Sequence, residues 1–133
     1  MDISVVEEKM SDEFTKFHLK GFPFDAVVHK FTEPDKGYPH DHPFGFTTHI
    51  LQGSYIERLY DRRNGNFMDV IRECGTSHFV PATLIHKIIN LPDGDCYTII
   101  TPLHKEREPG FWKFEDGKAY FKQWNKPEFK EVK

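Results

Sequence analysis

The sequence predicts an all-β protein, and three of its properties support that prediction. Nine glycines and nine prolines divide the 133 residues into short segments. Long apolar stretches with a helical period are missing between them. The segments are rich in β-branched and aromatic residues, with thirteen phenylalanines in the chain, which is typical of strands. We therefore expect about nine short strands joined by tight turns, arranged as a jelly-roll sandwich or barrel.

The first half of the chain contains three of the predicted strands. Residues 1–20 are mostly polar, and Ser11, Asp12 and Glu13 predict one short helical turn there. Further along, the Gly53-Ser54 pair lies between two β-like segments and predicts a two-residue hairpin turn. The predicted strands of this half are residues 26–31, 46–52 and 55–61.

The second half contains six predicted strands and two further hairpins. Asn64-Gly65 lies between two β-like segments, and this dipeptide is a strong short-range signal for a hairpin. Another hairpin is predicted where residues 111–114 face residues 119–124 across the turn at residues 115–118. The predicted strands of this half are residues 67–73, 78–81, 84–90, 96–102, 111–114 and 119–124.

Length, charge and cysteine content narrow the class of protein. We expect one domain over residues 1–133, with a short N-terminal extension of about residues 1–22 and a polar C-terminal tail. The formal net charge is −3, with acids and bases interspersed, which argues against a nucleic-acid partner. Two cysteines are too few for a disulfide framework, and the N-terminal residues lack the features of a signal peptide. No apolar run approaches the roughly 18 residues of a membrane span, so we expect a cytoplasmic protein.

The segment His40-Asp41-His42 carries the clearest chemical signal in the chain. On an extended backbone, side chains two residues apart point to the same face. Both imidazoles can therefore bind one metal ion without a bend in the chain. The other interpretation is that the two rings lie in a solvated loop, and a third histidine ligand would favour the metal site.

The segment 37–90 resembles the two sequence motifs of the cupin family. The first motif has a glycine, a His-x-His pair, a glutamate and a second glycine, and the second motif has a glycine, a proline, a histidine and an asparagine. Gly37 lies closer to the histidines than is usual, and Thr83 stands where the second motif has a further glycine. The matching residues are Gly37, His40, His42 and Gly53 for the first motif and Gly75, Pro81, His86 and Asn90 for the second.

The resemblance implies a single-domain cupin-type jelly-roll β-barrel, also called a double-stranded β-helix. It further implies that His40, His42 and His86 bind one divalent metal inside the barrel, although His86 can also be interpreted as a hydrogen-bonded core residue. The metal-binding glutamate of the family falls at Phe46 or Thr47, depending on the end from which the motif is counted. Neither side chain is a comparable ligand, so we expect open metal positions that water or substrate fills.

Another acid, Glu57, is a candidate replacement for the missing glutamate. If Gly53-Ser54 is a hairpin turn, Glu57 lies on the same face as Phe46 and Tyr55. The family register points that face inward, which makes Glu57 a fourth ligand or a general base and Tyr55 a substrate-pocket residue. A bulge after Pro43 would reverse the faces and leave Glu57 as an exposed acid paired with a nearby base. The residues brought inside would then be His49, Arg58 and Tyr60.

The remaining histidines and cysteines are expected to be structural. His29, His78 and His104 have no partner at ligand spacing, so each is interpreted as a surface or core residue. Cys74 and Cys96 are interpreted as packed small residues. The aromatic residues of the last predicted hairpin are expected to pack over one end of the barrel or to form a subunit contact.

Two classes of function remain open. In the first, the protein is a small-molecule metalloenzyme of the dioxygenase or isomerase type that uses a divalent transition metal, namely Fe, Mn, Ni or Zn. In the second, it is a non-catalytic cupin that binds a small ligand or carbohydrate, with a structural metal or none. We favour the enzyme, with no nucleic-acid or membrane partner. We also expect a homodimer that covers an exposed edge strand.

Overall fold

The structure, a computed structural model, describes residues 2–133, and this range contains twelve β-strands. The described residues include no helix that is long and apolar enough to cross a membrane. The strands are β1 (Ser4–Lys9), β2 (Phe14–Lys20), β3 (Ala26–Phe31), β4 (Phe46–Gln52), β5 (Tyr55–Tyr60), β6 (Phe67–Arg72), β7 (Ser77–Val80), β8 (Ile85–Asn90), β9 (Cys96–Pro102), β10 (Gly110–Glu115), β11 (Lys118–Gln123) and β12 (Lys130–Val132).

The strands form one large and two small antiparallel sheets. The large sheet has six strands in the order β1-β2-β3-β9-β4-β7, and the small sheets have the orders β6-β5-β8 and β10-β11-β12. Isolated backbone bridges join His40 to His86 and to Phe111. Since His86 lies on β8 and Phe111 on β10, the chain at His40 connects the two small sheets.

The core lies between the large sheet and the β6-β5-β8 sheet. Burial alternates along β4 and β9, so each of these strands buries one face. A cluster of buried side chains combines residues from both layers. Two sheets that pack face to face around such a cluster are the layers of a jelly roll. The cluster consists of Phe31, Ile50, Tyr55, Ile88 and Cys96.

The prediction of an all-β fold is confirmed. The nine predicted strands correspond to β3 to β11, with bounds that agree to within about one residue. The Asn64-Gly65 hairpin is confirmed by the pairing of β5 with β6. The C-terminal hairpin is confirmed by the pairing of β10 with β11.

Three strands were not expected, namely β1, β2 and β12. The predicted helical turn at Ser11 is wrong, because Met10 N and Ser11 N donate to Phe14 O and close a turn between β1 and β2. These strands pair over six residues each. That pairing satisfies backbone groups that one isolated helical turn would leave open.

The predicted hairpin at Gly53-Ser54 is also wrong, because β4 and β5 belong to different sheets. Strand β4 pairs with β7 and β9, whereas β5 pairs with β6 and β8. Gly53 has a φ of +77°, and a Cβ there would lie 2.6 Å from the carbonyl oxygen of Asp95. Glycine therefore allows a tight crossing from one layer to the other, and Ile50 and Tyr55 meet in the core between the layers.

Candidate metal centre

Backbone hydrogen bonds fix the segment that carries His40 and His42. His40 N donates to His86 O, and His86 N donates to His40 O, both at 3.0 Å. His42 N donates to Ala82 O at 3.0 Å. Residues that are forty or more positions apart in the sequence are thus held side by side by the backbone alone.

Asp41 anchors the same segment from the opposite side. Its side chain is 1% exposed and accepts hydrogen bonds from Gly110 N at 2.8 Å and from Trp112 Nε1 at 2.9 Å. The Arg107 guanidinium lies 2.7 Å from the same carboxylate. Since side chains alternate along an extended segment, the buried Asp41 directs both neighbouring imidazoles to the other face.

The imidazoles of His40, His42 and His86 converge on one point. Their ligand atoms all lie within 4.8 Å of one another. The two Nε2 atoms of His42 and His86 are 2.7 Å apart. His86 is buried, and the other two rings are partly buried. The three residues predicted as metal ligands are therefore brought together in a geometry that can hold a metal ion.

Burial keeps the first two imidazoles neutral. Desolvation lowers the pKa of His40 to about 3, with a smaller contribution from the nearby His86. Desolvation also lowers the pKa of His42 well below its usual value, and His86 and His40 add to the effect. Only a neutral imidazole offers a lone pair to a metal, so both rings are available as ligands at neutral pH.

Glu57 lies behind His86 and orients its ring. The carboxylate is fully buried, and its Oε1 is 2.8 Å from His86 Nδ1. Arg72 Nε donates to Oε2 at 2.6 Å, and His78 Nε2 lies 3.4 Å from the same oxygen. A proton on His86 Nδ1 leaves Nε2 with a free lone pair that faces the other imidazoles.

The environment of Glu57 keeps the carboxylate ionised. Burial by itself raises the pKa of Glu57, but hydrogen bonds from His78, His86 and Arg72 outweigh that effect and lower it below the usual value. A carboxylate that accepts several hydrogen bonds is favoured in its charged form. Glu57 is thus an anionic acceptor for His86 and acts on the metal position only through that ring. It belongs neither to the group of converging ligand atoms nor to the lining of the neighbouring cavity, so it is not placed as the fourth ligand or general base considered from the sequence.

The donor set fits a divalent transition metal. Metal–nitrogen bonds of about 2.1 Å place two ligand nitrogens about 3.0 Å apart in octahedral geometry and about 3.4 Å apart in tetrahedral geometry. The 2.7 Å between the Nε2 atoms of His42 and His86 would therefore have to widen by about 0.3–0.7 Å. These two nitrogens are within hydrogen-bond distance of each other, and metal binding requires both Nε2 atoms to be unprotonated. Imidazole ligands suit Fe, Ni, Cu and Zn, so the triad fits a divalent transition metal.

The three imidazoles face a cavity of about 220 Å³. Tyr55 lines this cavity and is buried, and its hydroxyl lies 3.4 Å from His78 Nε2. Burial raises the pKa of Tyr55, with a smaller contribution from Glu57, so the phenol stays protonated. Phe46, at a position where the cupin motif has glutamate, also lines the cavity, with its ring centroid 4.9 Å from that of His42.

The second face considered for β4 and β5 lies outside the cavity. His49 Nδ1 pairs with Ser77 Oγ, and Arg58 forms two hydrogen bonds with Asp69. Tyr60 stacks on Phe114. The face that carries Tyr55 and Glu57 is therefore the inner one, as the family register suggested.

Several residues of the site were missed or misread in the sequence. No motif assigns a role to Arg72 or Asp41. Their roles depend on partners elsewhere in the chain, namely Glu57 for Arg72 and Gly110 and Trp112 for Asp41. His29 and His78 were interpreted as surface or core residues, yet His29 lines the cavity and His78 contacts Glu57 and Tyr55. The alternation of side chains along β3 could have predicted that His29 faces inward, because His29 lies two residues from the apolar Phe31 and shares its face.

Comparisons with known proteins support the fold. No protein-family model and no curated protein matches the sequence. Hydroxypropylphosphonic acid epoxidase from S. wedmorenis aligns with a TM-score of 0.61 and 15% identity, over 75% of this chain and 56% of that chain. FeII HppE aligns with a TM-score of 0.57 and 13% identity, over 77% and 56%. The capsular polysaccharide assembling protein CapF from Staphylococcus aureus aligns with a TM-score of 0.61 and 15% identity, over 79% and 30%.

These likenesses show a cupin-type jelly-roll fold, and at such low identity they show the fold alone. The matched region spans little more than half of the epoxidase and less than a third of CapF. Structures of HppE contain Fe(II) or Co(II). In the present chain, the residues that could hold a metal ion are His40, His42 and His86.

Proposed function

We propose that this protein is a cupin-type metalloenzyme that acts on a small molecule, as an oxidoreductase or an isomerase. The observation that carries the proposal is the convergence of His40, His42 and His86 on a mostly apolar internal cavity. The ring of His86 is also held by the buried carboxylate of Glu57. A second layer of this kind is usual behind metal-bound imidazoles.

Three neutral nitrogen ligands leave coordination positions open. A divalent metal bound there supplies a Lewis acid and open positions for an oxygen substrate or for dioxygen. Phe46 stands beside His42 and provides no carboxylate to fill one of those positions. The likeness to an epoxidase and to Fe(II) and Co(II) forms of HppE supports a transition metal in a fold of this type.

The side chains around the triad have separate tasks in this proposal. Glu57 holds the proton at His86 Nδ1 and keeps Nε2 free, and Arg72 keeps Glu57 ionised and fixed. Phe31, Phe46 and Ile100 form apolar walls that limit water in the cavity. Tyr55 presents a protonated phenol at the same cavity, where it can donate a hydrogen bond to an oxygen atom of a substrate.

The test is metal loading of protein purified without a histidine tag. We expect about one equivalent of Fe(II), Mn(II), Ni(II) or Zn(II) per chain at neutral pH. His42→Gln should bind less than a tenth of an equivalent, while Glu57 and His86 remain in place. His49→Gln is the matched control, because His49 lies on the outer face with Ser77. Equal metal content in the two variants would contradict the proposed site.

Open coordination positions are tested separately. Nitric oxide added anaerobically to the Fe(II)-loaded protein should give the electron paramagnetic resonance signal of an iron nitrosyl. A metal that is fully ligated by protein would give no such signal, and the protein would then be a cupin with a structural metal. Turnover of small oxygen-containing substrates distinguishes an enzyme from a cupin that only binds its ligand.

A further inference from the structure

A row of polar side chains crosses the large sheet on the face that lines the cavity. Lys16 on β2 pairs directly with His29 on β3, and His29 pairs with Thr98 on β9. All three residues line the cavity that holds the histidine triad. Residues directly opposite each other on neighbouring strands have side chains within contact range, so the row forms one polar patch in an apolar wall.

His29 has an unused polar atom in this patch. Its ring packs edge-on against Phe14, with centroids 4.9 Å apart, and against Phe31 at 5.8 Å. Its Nε2 is buried and has no hydrogen-bond partner among the described residues. A buried polar atom without a partner is unfavourable, and a ligand in the cavity can supply the partner.

The charge state of His29 makes it a hydrogen-bond donor to an anion. Desolvation lowers the pKa of His29 to about 3, with a smaller contribution from Lys16. The ring is therefore neutral at neutral pH and carries one N–H. With that proton on Nε2, the ring donates to an acceptor without bringing a second buried charge.

Lys16 supplies the positive charge of the patch. Its ammonium nitrogen lies 5.8 Å from the centre of the Phe14 ring, beside the same aromatic group that packs on His29. Asp35 is the acidic residue of the lining, but its Oδ2 accepts a hydrogen bond from Ile88 N at 2.9 Å, on the layer opposite Lys16. Burial raises the pKa of Asp35, which further limits its competition for Lys16.

The rest of the cavity determines the size and polarity of the ligand. Its volume of about 220 Å³ is below the range of about 300–1,000 Å³ for sites that take drug-sized compounds. The ligand is therefore small, and most of its surface meets carbon atoms. The apolar lining includes the rings of Phe14, Phe31, Phe44 and Phe46 and the side chains of Val80 and Ile100.

We propose that the cavity binds a small organic acid with an apolar body, whose anionic group is held by Lys16 and His29. A charge-assisted hydrogen bond from each side chain positions that group, and the aromatic walls hold the body. This binding mode rests on the proposed function, because the metal bound by the triad would face the remainder of the same ligand.

Hexanoate and its neutral analogue hexanamide are suitable probes. Binding is measured by nuclear magnetic resonance titration of the full chain, once without metal and once loaded with Zn(II). In the metal-free protein we expect hexanoate to bind at least ten-fold more tightly than hexanamide. Lys16→Met should abolish that preference. His29→Phe, which keeps the apolar volume, should weaken hexanoate binding about five-fold.

Lys30→Met is the matched control for charge. Lys30 follows His29 on β3 and pairs with Tyr97, so its side chain lies on the opposite face of the sheet. This variant loses the same charge as Lys16→Met and should keep the parent's preference for hexanoate. Equal effects of the two substitutions, or no preference in the parent, would overturn the binding mode.

The two proposals fail in different ways. If the parent binds no metal but the metal-free protein prefers hexanoate in a Lys16-dependent manner, the metalloenzyme is wrong and the acid site stands. If the parent binds metal but hexanamide binds as well as hexanoate, the acid site is wrong and the metal site stands. Loss of metal from His29→Phe would also overturn the acid site, because His29 would then belong to the metal centre.

Discussion

Glu57 Oε1 lies 2.8 Å from His86 Nδ1, on the side of the ring that faces away from the other two imidazoles. This contact joins the most deeply buried acid of the described chain to the most buried of the three candidate ligands. It also fixes which nitrogen of His86 carries the proton. The strength of the metal site therefore depends on a residue that does not touch the metal position.

Glu57→Gln should weaken metal binding by about 10- to 100-fold, because the amide makes a poorer partner for His86 Nδ1 than the carboxylate does. Affinity is measured by competition with a chelator at neutral pH. Asp69→Asn is the control, since Asp69 pairs with Arg58 on the exposed side of the neighbouring strands. An unchanged metal affinity in Glu57→Gln would show that the hydrogen bond between Glu57 and His86 does not strengthen metal binding.

Arg72→Met should lower the free energy of unfolding by about 2 kcal/mol, because the buried Glu57 loses a charged hydrogen-bond partner. The matching exposed substitution, Arg58→Met, should cost about 1 kcal/mol or less. Urea unfolding of metal-free protein measures both values. Similar costs for the two arginines would show that the pair with Glu57 is no stronger than a surface ion pair.

Asp41→Asn should lower the free energy of unfolding by about 2–3 kcal/mol. The negative charge that pairs with Arg107 is lost, and the NH2 group of the asparagine cannot accept the hydrogen bond that one carboxylate oxygen accepts from Gly110 N or Trp112 Nε1. Metal affinity should fall as well, because the segment between His40 and His42 loses its anchor. Asp12→Asn is the control, as Asp12 is exposed beside Lys9. Wild-type values for both stability and affinity would show that backbone hydrogen bonds alone hold the segment.

Metal-free protein should lose stability as the pH falls below about 6.5. The pKa of His29 is lowered to about 3 in the folded state, so between these values the unfolded chain binds a proton that the folded chain does not. Between pH 7 and pH 5, His29 alone should remove about 2 kcal/mol from the free energy of unfolding. His29→Phe should show a loss that is smaller by that amount, and an identical loss would mean that His29 becomes protonated in the folded protein.

The strands and the ligand histidines could be predicted from the sequence because their signals are local or regularly spaced. Asn64-Gly65 indicates a hairpin whatever surrounds it, and β5 and β6 do form one. The Gly53-Ser54 pair has a similar local signal, yet the chain crosses there between two layers. The choice between a hairpin and a crossing depends on which strands pair later in the chain, and no dipeptide encodes that.

The orientation of Glu57 was predicted correctly from an incorrect pairing. Strands β4 and β5 do not pair, but each turns its alternate residues toward the same core, so Phe46, Tyr55 and Glu57 are all buried. The contacts of Arg72 and Asp41 could not be predicted in this way. They depend on the register between strands that lie 15 and about 70 residues apart, which a single sequence does not reveal.

His40 forms one backbone bridge to β8 and another to β10. Metal binding by His40 should therefore affect how tightly the two small sheets are held together. The His40 amide and the His86 amide donate to each other's carbonyl groups. If these two backbone hydrogen bonds, which we call the His40–His86 seam, break, two of the three imidazoles also move apart. A bound metal would hold the seam closed, and amide hydrogens there should exchange with solvent more slowly in the metal-loaded protein. Chelation should accelerate exchange at β8 and β10 together, while the β1–β2 hairpin at the far edge of the large sheet exchanges as before.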